Sequence, residues 1–202
     1  MADANGKFAS RGGEKLDAAL GAFQLEVAGL VCADFGCNVG GFTDCLLRRG
    51  AARVYAVDTG YGELAWKLRK DPRVVVMERT NALYCPVPEP VDLVVADVGW
   101  TPQELVVPAA GRWLKSGGAA VSLLKPHYEA ARRAGSKPYR TLDDRQARQI
   151  CLETCRRLAG LGWGVSAAMV SPLLGKGGNT EFLLLLGRAG DKEPDGRTPG
   201  SR

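Results

Sequence analysis

Seven short apolar runs, spaced by stretches of helical periodicity, constrain this chain more than any other feature. The runs are "LVCADF" (30–35), "RVYAVD" (53–58), "RVVVM" (73–77), "VDLVVADV" (91–98), "GGAAVSLLK" (117–125), "GVSAAMVS" (164–171) and "TEFLLLLG" (180–187). Each has the length of a buried strand. Between them, "EKLDAALGAF" places Leu16, Ala19, Leu20 and Phe23 on one helical face. "FTDCLLRRG", "GELAWKLRK", "PQELVVPAAGRWLK" and "TLDDRQARQICLETCRRLAGLG" also read as helices, the third with Pro108 as a kink site and the last with Thr141 and Asp144 as its capping pair. Strands alternating with helices predict an α/β fold, a mostly parallel seven-stranded sheet covered by helices on both faces. No helix separates the last two strands, so the final one should run antiparallel. Residues 1–9 and 188–202 read as polar tails and 10–187 as one domain.

In such sheets ligands bind at the carboxyl ends of the strands. The first strand ends in "DFGCNVGGF", residues 34–42. Position 38 is Asn, so the dinucleotide pattern G-x-G-x-x-G fails; Phe42 follows Gly41, so the P-loop pattern fails too. The remaining D-x-G-x-x-x-G-G suits a ligand with an adenosine and a small charged tail but no pyrophosphate, such as S-adenosylmethionine (SAM). Gly36 and Gly40 allow close backbone approach, and the amides opening the next helix at Gly41 can hold a carboxylate. Asp58 ends the second strand, where an acid can accept hydrogen bonds from ribose hydroxyls. The candidate cofactor site is Asp34, Gly36, Cys37, Asn38, Gly40, Gly41, Phe42, Asp58, Thr59, Asn81 and Asp97.

The formal net charge of +5 and pI near 9.0 favour an anionic partner. "AARRAGSKPYRTL" (130–142) carries Arg132, Arg133, Lys137 and Arg140 without an acid, and Tyr139 among them. A loop of this kind can bind phosphates and stack on a base. Arg11 is a further RNA-binding candidate. The start of the chain shows no export signal, which points to a cytoplasmic protein whose six cysteines are free thiols. No metal site and no membrane contact are expected, because the chain has no C-x-x-C pair, one histidine and no long amphipathic segment.

"SRGGEKL", "GGFTDCLLRRGAARVYAVDTGYGELAWKLRKDPRVVVMERTNA", "VDLVVAD", "LLKPHYEA" and "GNTEFLLLL" resemble the FtsJ-like RNA ribose methyltransferases, the TlyA/hemolysin A branch in particular. The resemblance runs from about residue 9 to 187 and implies a Rossmann-like SAM-dependent methyltransferase domain. It implies methyl transfer to a ribose 2′-hydroxyl, with ribosomal RNA or a ribosomal subunit as partner and a monomer as the favoured state. The family's Lys-Asp-Lys-Glu tetrad falls on Lys15, Asp97, Lys125 and Glu181. Of these, Lys125 ends a buried strand and is the base candidate. Lys15 is the neighbouring cation and an RNA contact, Asp97 orients Lys125 near the methyl donor, and Glu181 holds a lysine or the ribose. A lysine accepts a proton only when neutral, which a neighbouring cation and burial favour. The chain departs from the branch at Asn38 and at "DVGW", where a Ser-Phe is usual. The competing expectation is a non-catalytic RNA-binding or hemolysin-like protein that keeps the fold.

Overall fold

The computed structural model describes residues 7–136, 141–175 and 177–190. Its centre is a seven-stranded sheet: β1 Val31–Phe35, β2 Arg53–Val57, β3 Val74–Met77, β4 Val91–Ala96, β5 Leu114–Leu124, β6 Trp163–Val170 and β7 Phe182–Arg188. The spatial order is β3-β2-β1-β4-β5-β7-β6. All neighbours from β3 to β5 pair in parallel, whereas β7 lies antiparallel to both β5 and β6. The last strand is therefore the one reversed strand, inserted between two that share the common direction.

Alternation along the strands makes two cores. Cys32, Val95, Val121 and Leu183 pack against α1 (Arg11–Ala22), α2 (Gly41–Arg48) and α3 (Trp66–Arg69). Their neighbours Ala33, Val94, Ala120 and Leu184 face α4 (Gln103–Trp113) and α6 (Asp144–Gly160). Fully buried Trp113 closes the second core with its ring edge-on to Phe35 and Tyr55, centroids 5.3 and 5.9 Å away. Leu16 and Leu20, spaced one helical turn apart, anchor α1 in the first.

Four local features differ from the sequence pattern. Residues 126–133 form a helix, α5 (Pro126–Arg133), which takes in residues 130–133 of the stretch expected to be a loop. Pro126 opens it without loss, since the first helical amide needs no partner. The cap of α6 is Asp143, whose carboxylate accepts from the Gln146 amide while the Gln146 side chain accepts from the Asp143 amide. The predicted capping residues Thr141 and Asp144 instead bond to Gly177 and Thr180, tying the helix start to the β6–β7 connection. Helix α3 is confined to 66–69, and β7 continues through Arg188, a residue assigned to the tail.

Candidate active site

The connection from β1 to α2 is shaped by two close approaches. Gly36 has φ +78°, and a Cβ there would lie 2.6 Å from the Asp97 carbonyl oxygen. Gly40 has φ +99°, and a Cβ would lie 2.3 Å from Leu68 Cδ1. These glycines press the loop against the end of β4 and against α3; only Gly36 of the two also lines the cleft. Asn38, at φ +46°, has its amide 2.8 Å from Asp58 Oδ2, and the Gly60 amide donates to Oδ1 at 2.7 Å. Asp58 thus stands at the end of β2 braced by backbone. Thr59 and Asn81 lie exposed in adjoining turns, Asn81 accepting from the Leu83 amide.

Asp34 is fully buried beneath this loop. Thr43 donates to its Oδ2 at 2.7 Å, and Oδ1 has no hydrogen-bond partner. Burial pushes its pKa up to about 7, against the opposing pull of the Thr43 hydroxyl. It ties β1 to α2 from below and does not line the cleft.

A cleft of about 270 Å³ opens at this edge of the sheet. Ser10, Arg11, Gly12 and Lys15 form one side, the 36–38 turn with Gly41 and Phe42 the floor, and Asp97 and Leu174 the remaining walls. Lys15 and Asp97 each belong to an ion pair whose other member, Glu181 or Lys125, lies outside the lining. Lys15 Nζ lies 2.5 Å from Glu181 Oε2, with both side chains nearly inaccessible. Lys125 Nζ lies 2.6 Å from Asp97 Oδ1. The four residues arrive from α1, the ends of β4 and β5, and the start of β7. Taking paired charges out of water is costly, so such pairs are poor stabilisers. Two of them, each with one member in the lining of one cleft, point to chemistry.

Lys125 is also the N-cap residue of α5, its carbonyl accepting from the Tyr128 and Glu129 amides. Its ammonium sits 5.7 Å from the Tyr128 ring centroid, and Trp100 stacks on Tyr128 at 4.8 Å. Trp100 is 62% exposed and adopts φ +62°.

The basic candidates separate. Arg11 is exposed at the cleft and donates to the Leu174 carbonyl at 3.2 Å. Arg132 is exposed on α5. Arg133 is half-buried, bonded to Glu153 at 3.1 Å and to Thr154 at 2.7 Å, so it fastens α5 to α6. Lys137, Tyr139 and Arg140 lie outside the described residues. Ser10, Gly12, Tyr128 and Leu174 were not anticipated as site residues. The first two belong to "SRGGEKL" and the third follows Lys125 by three, whereas Leu174 has no sequence signal.

Among the described residues, no helix is long and apolar enough to cross a membrane. The model of the FtsJ-like methyltransferases matches residues 8–188. The chain is 44% identical to the 16S/23S rRNA (cytidine-2′-O)-methyltransferase TlyA of Mycobacterium tuberculosis, over 92% of this chain and 70% of that protein. It is 36% identical to hemolysin A of Brachyspira hyodysenteriae, over 89% of this chain and 76% of the other. A hemolysin-like protein of Streptococcus thermophilus superposes with a TM-score of 0.84 at 33% identity, over 95% of this chain and 70% of that one. Magnesium protoporphyrin IX methyltransferase of Synechocystis, at 17% identity and a TM-score of 0.58 over 88% of this chain and 82% of its own, shares the fold. With the family match spanning residues 8–188 and every strand of the sheet, the chain belongs to the FtsJ-like methyltransferase family.

Proposed function

We propose that this protein transfers a methyl group from SAM to a ribose 2′-hydroxyl of ribosomal RNA. The observation that carries the reading is that Asp97 and Lys15 line one cleft at the carboxyl edge of the sheet, each paired with a partner outside the lining, Lys125 and Glu181. The cleft fits the cofactor's chemistry. Asp97 gives the lining a carboxylate, and Asp58, at the end of β2 beyond the lining, is the carboxylate proposed to accept from the ribose hydroxyls. The 36–41 turn gives close access at Gly36 and Gly41, while the amides of residues 36–40 are bonded within the protein. Gly36, Asn38, Asp58 and Asp97 would hold the cofactor, which when bound supplies an electrophilic sulfonium methyl.

The remaining work falls to the chain's own groups. A ribose hydroxyl is a weak acid, so aligning it and accepting its proton both speed attack. Lys125 Nζ is the proposed acceptor of that proton, and Asp97 fixes where Nζ points. Lys15, steadied by Glu181, offers its charge to the ribose or an adjoining phosphate. Trp100, exposed and stacked on Tyr128 beside Lys125, gives a flat wall to the approach of a nucleoside.

The test incubates the protein with tritiated SAM and ribosomal RNA, as free RNA and as intact subunits, followed by alkaline hydrolysis. Label retained in alkali-stable dinucleotides is expected, because a 2′-O-methyl blocks cleavage of the adjacent bond. Label on bases, or none in either substrate, would overturn the reading.

A further inference from the structure

Away from the tetrad, the β2 and β3 ends carry two exposed aromatic rings, each covered by a cation. Tyr61 is 67% exposed, with the Arg79 guanidinium 4.2 Å from its ring centroid. Trp66 is 66% exposed, with Lys70 Nζ at 4.8 Å. Trp66 and Lys70 stand one turn apart, while Leu64 and Leu68, offset by half a turn, pack inward beneath Gly40. The apolar side of this segment is therefore spent on the core, and its aromatic, cationic side faces water.

Local charges sharpen the picture. Of the three acids between residues 60 and 79, Asp71 is held by Arg73 and Glu78 by Arg69; Glu63 is exposed. Lys67 is paired with Asp44. Among the described residues, neither Lys70 nor Arg79 forms an ion pair with a carboxylate. Glu78 also accepts from the Gly62 amide, and the Arg79 amide donates to the Gly60 carbonyl, so the two aromatic pairs belong to one braced surface. The Ala65 amide donates to the Val39 carbonyl, which makes that surface continuous with the turn flooring the cleft.

We infer that Tyr61, Trp66, Lys70 and Arg79 form a second contact surface for single-stranded RNA, engaging nucleotides that flank the one in the cleft. Aromatic rings accept bases of any sequence by stacking, and unpaired cations beside them neutralise the phosphates that follow. A protein partner would find a weak apolar contact here, since Leu64 and Leu68 point inward. The inference rests on the RNA methyltransferase reading above, but its test is separable, because wild type and surface variants are compared on the same RNA.

Two double variants, Tyr61→Ala/Arg79→Ala and Trp66→Ala/Lys70→Ala, are measured beside wild type. The readouts are filter binding of transcribed 23S ribosomal RNA and of an oligocytidylate of about 12 nucleotides over a salt series, calorimetric SAM affinity, and thermal unfolding. Each pair should weaken RNA binding about 5-fold or more, the loss of a stacked base. The log–log salt slope should flatten by about 0.7 for each lost single-strand phosphate contact. SAM affinity and unfolding temperature should stay at the wild-type values. Unchanged RNA affinity and slope would overturn the inference while leaving methyl transfer by wild type intact. A loss of SAM affinity in the Tyr61/Arg79 variant, with RNA binding unchanged, would make that pair a cover for the cofactor and would overturn the inference as well.

Discussion

Lys125 and Lys15 stand 110 positions apart in the chain yet present the same device, an ammonium against a carboxylate at the edge of one cleft. The chemistry of the residues suggested the partners: an acid ending β4 beside a lysine ending β5, and a glutamate free to hold a lysine. That Glu181 takes Lys15 was not legible, because that pairing depends on how α1 and β7 meet across the sheet. Nor was the place of Asp34. In sequence it belongs to the glycine turn, and in the fold it lies under it. Two outcomes follow at this scale. Lys125→Arg should lose about 100-fold or more in turnover with calorimetric SAM affinity unchanged, since arginine stays protonated and cannot act as a base. Near-normal turnover would exclude Lys125 as the proton acceptor. Asp34 gives a pH signature. Its native pKa of about 7 lies above its ordinary 3.8, so between those values the folded protein binds the extra proton. Its contribution to stability is fully present below about pH 4 and is lost as pH rises through about 7. Asp34→Asn, neutral throughout, should remove that fall from urea-unfolding curves recorded across this range.

Elements with a clear period were legible, and short ones framed by other signals were not. The seven strands and their alternation with helices were visible because apolar runs bounded by glycine and polar turns leave few choices. Helix α5 was hidden: it is eight residues long, starts at a proline, and runs into a basic stretch that reads as a loop. The start of α6 offered two overlapping cap patterns, Thr141 with Asp144 and Asp143 with Gln146, and only the tertiary contacts of Thr141 and Asp144 decide between them. Asp143→Ala should therefore cost about 1 kcal/mol of unfolding free energy, whereas Thr141→Ala should leave the helix cap intact. The two arginines of α5 should part company. Arg133→Ala should lower the unfolding temperature by loosening α5 from α6, without altering the salt slope of RNA binding. Arg132→Ala should do the reverse, flattening that slope by about 0.7–0.9. If both variants behave alike, the division of labour between the buried and exposed guanidinium is wrong.

At the scale of the whole molecule, β7 holds the arrangement together. It passes between β5 and β6 in the opposite direction and delivers Glu181 to Lys15, 166 positions earlier. Glu181→Gln leaves Lys15 buried beside a neutral amide, and the expected loss is about 3–5 kcal/mol in urea unfolding, together with loss of methyl transfer. Restored stability in Lys15→Met/Glu181→Leu, still without activity, would separate the pair's structural cost from its use. The insertion of β7 has a consequence in time. During synthesis the strands from β1 to β6 leave the ribosome before their reversed neighbour exists, and β5 and β6 cannot be joined until it arrives. A nascent chain in that state carries an unsealed seam and a lysine awaiting its counter-charge, so competence to handle a ribose is acquired in one late step rather than accumulated along the way.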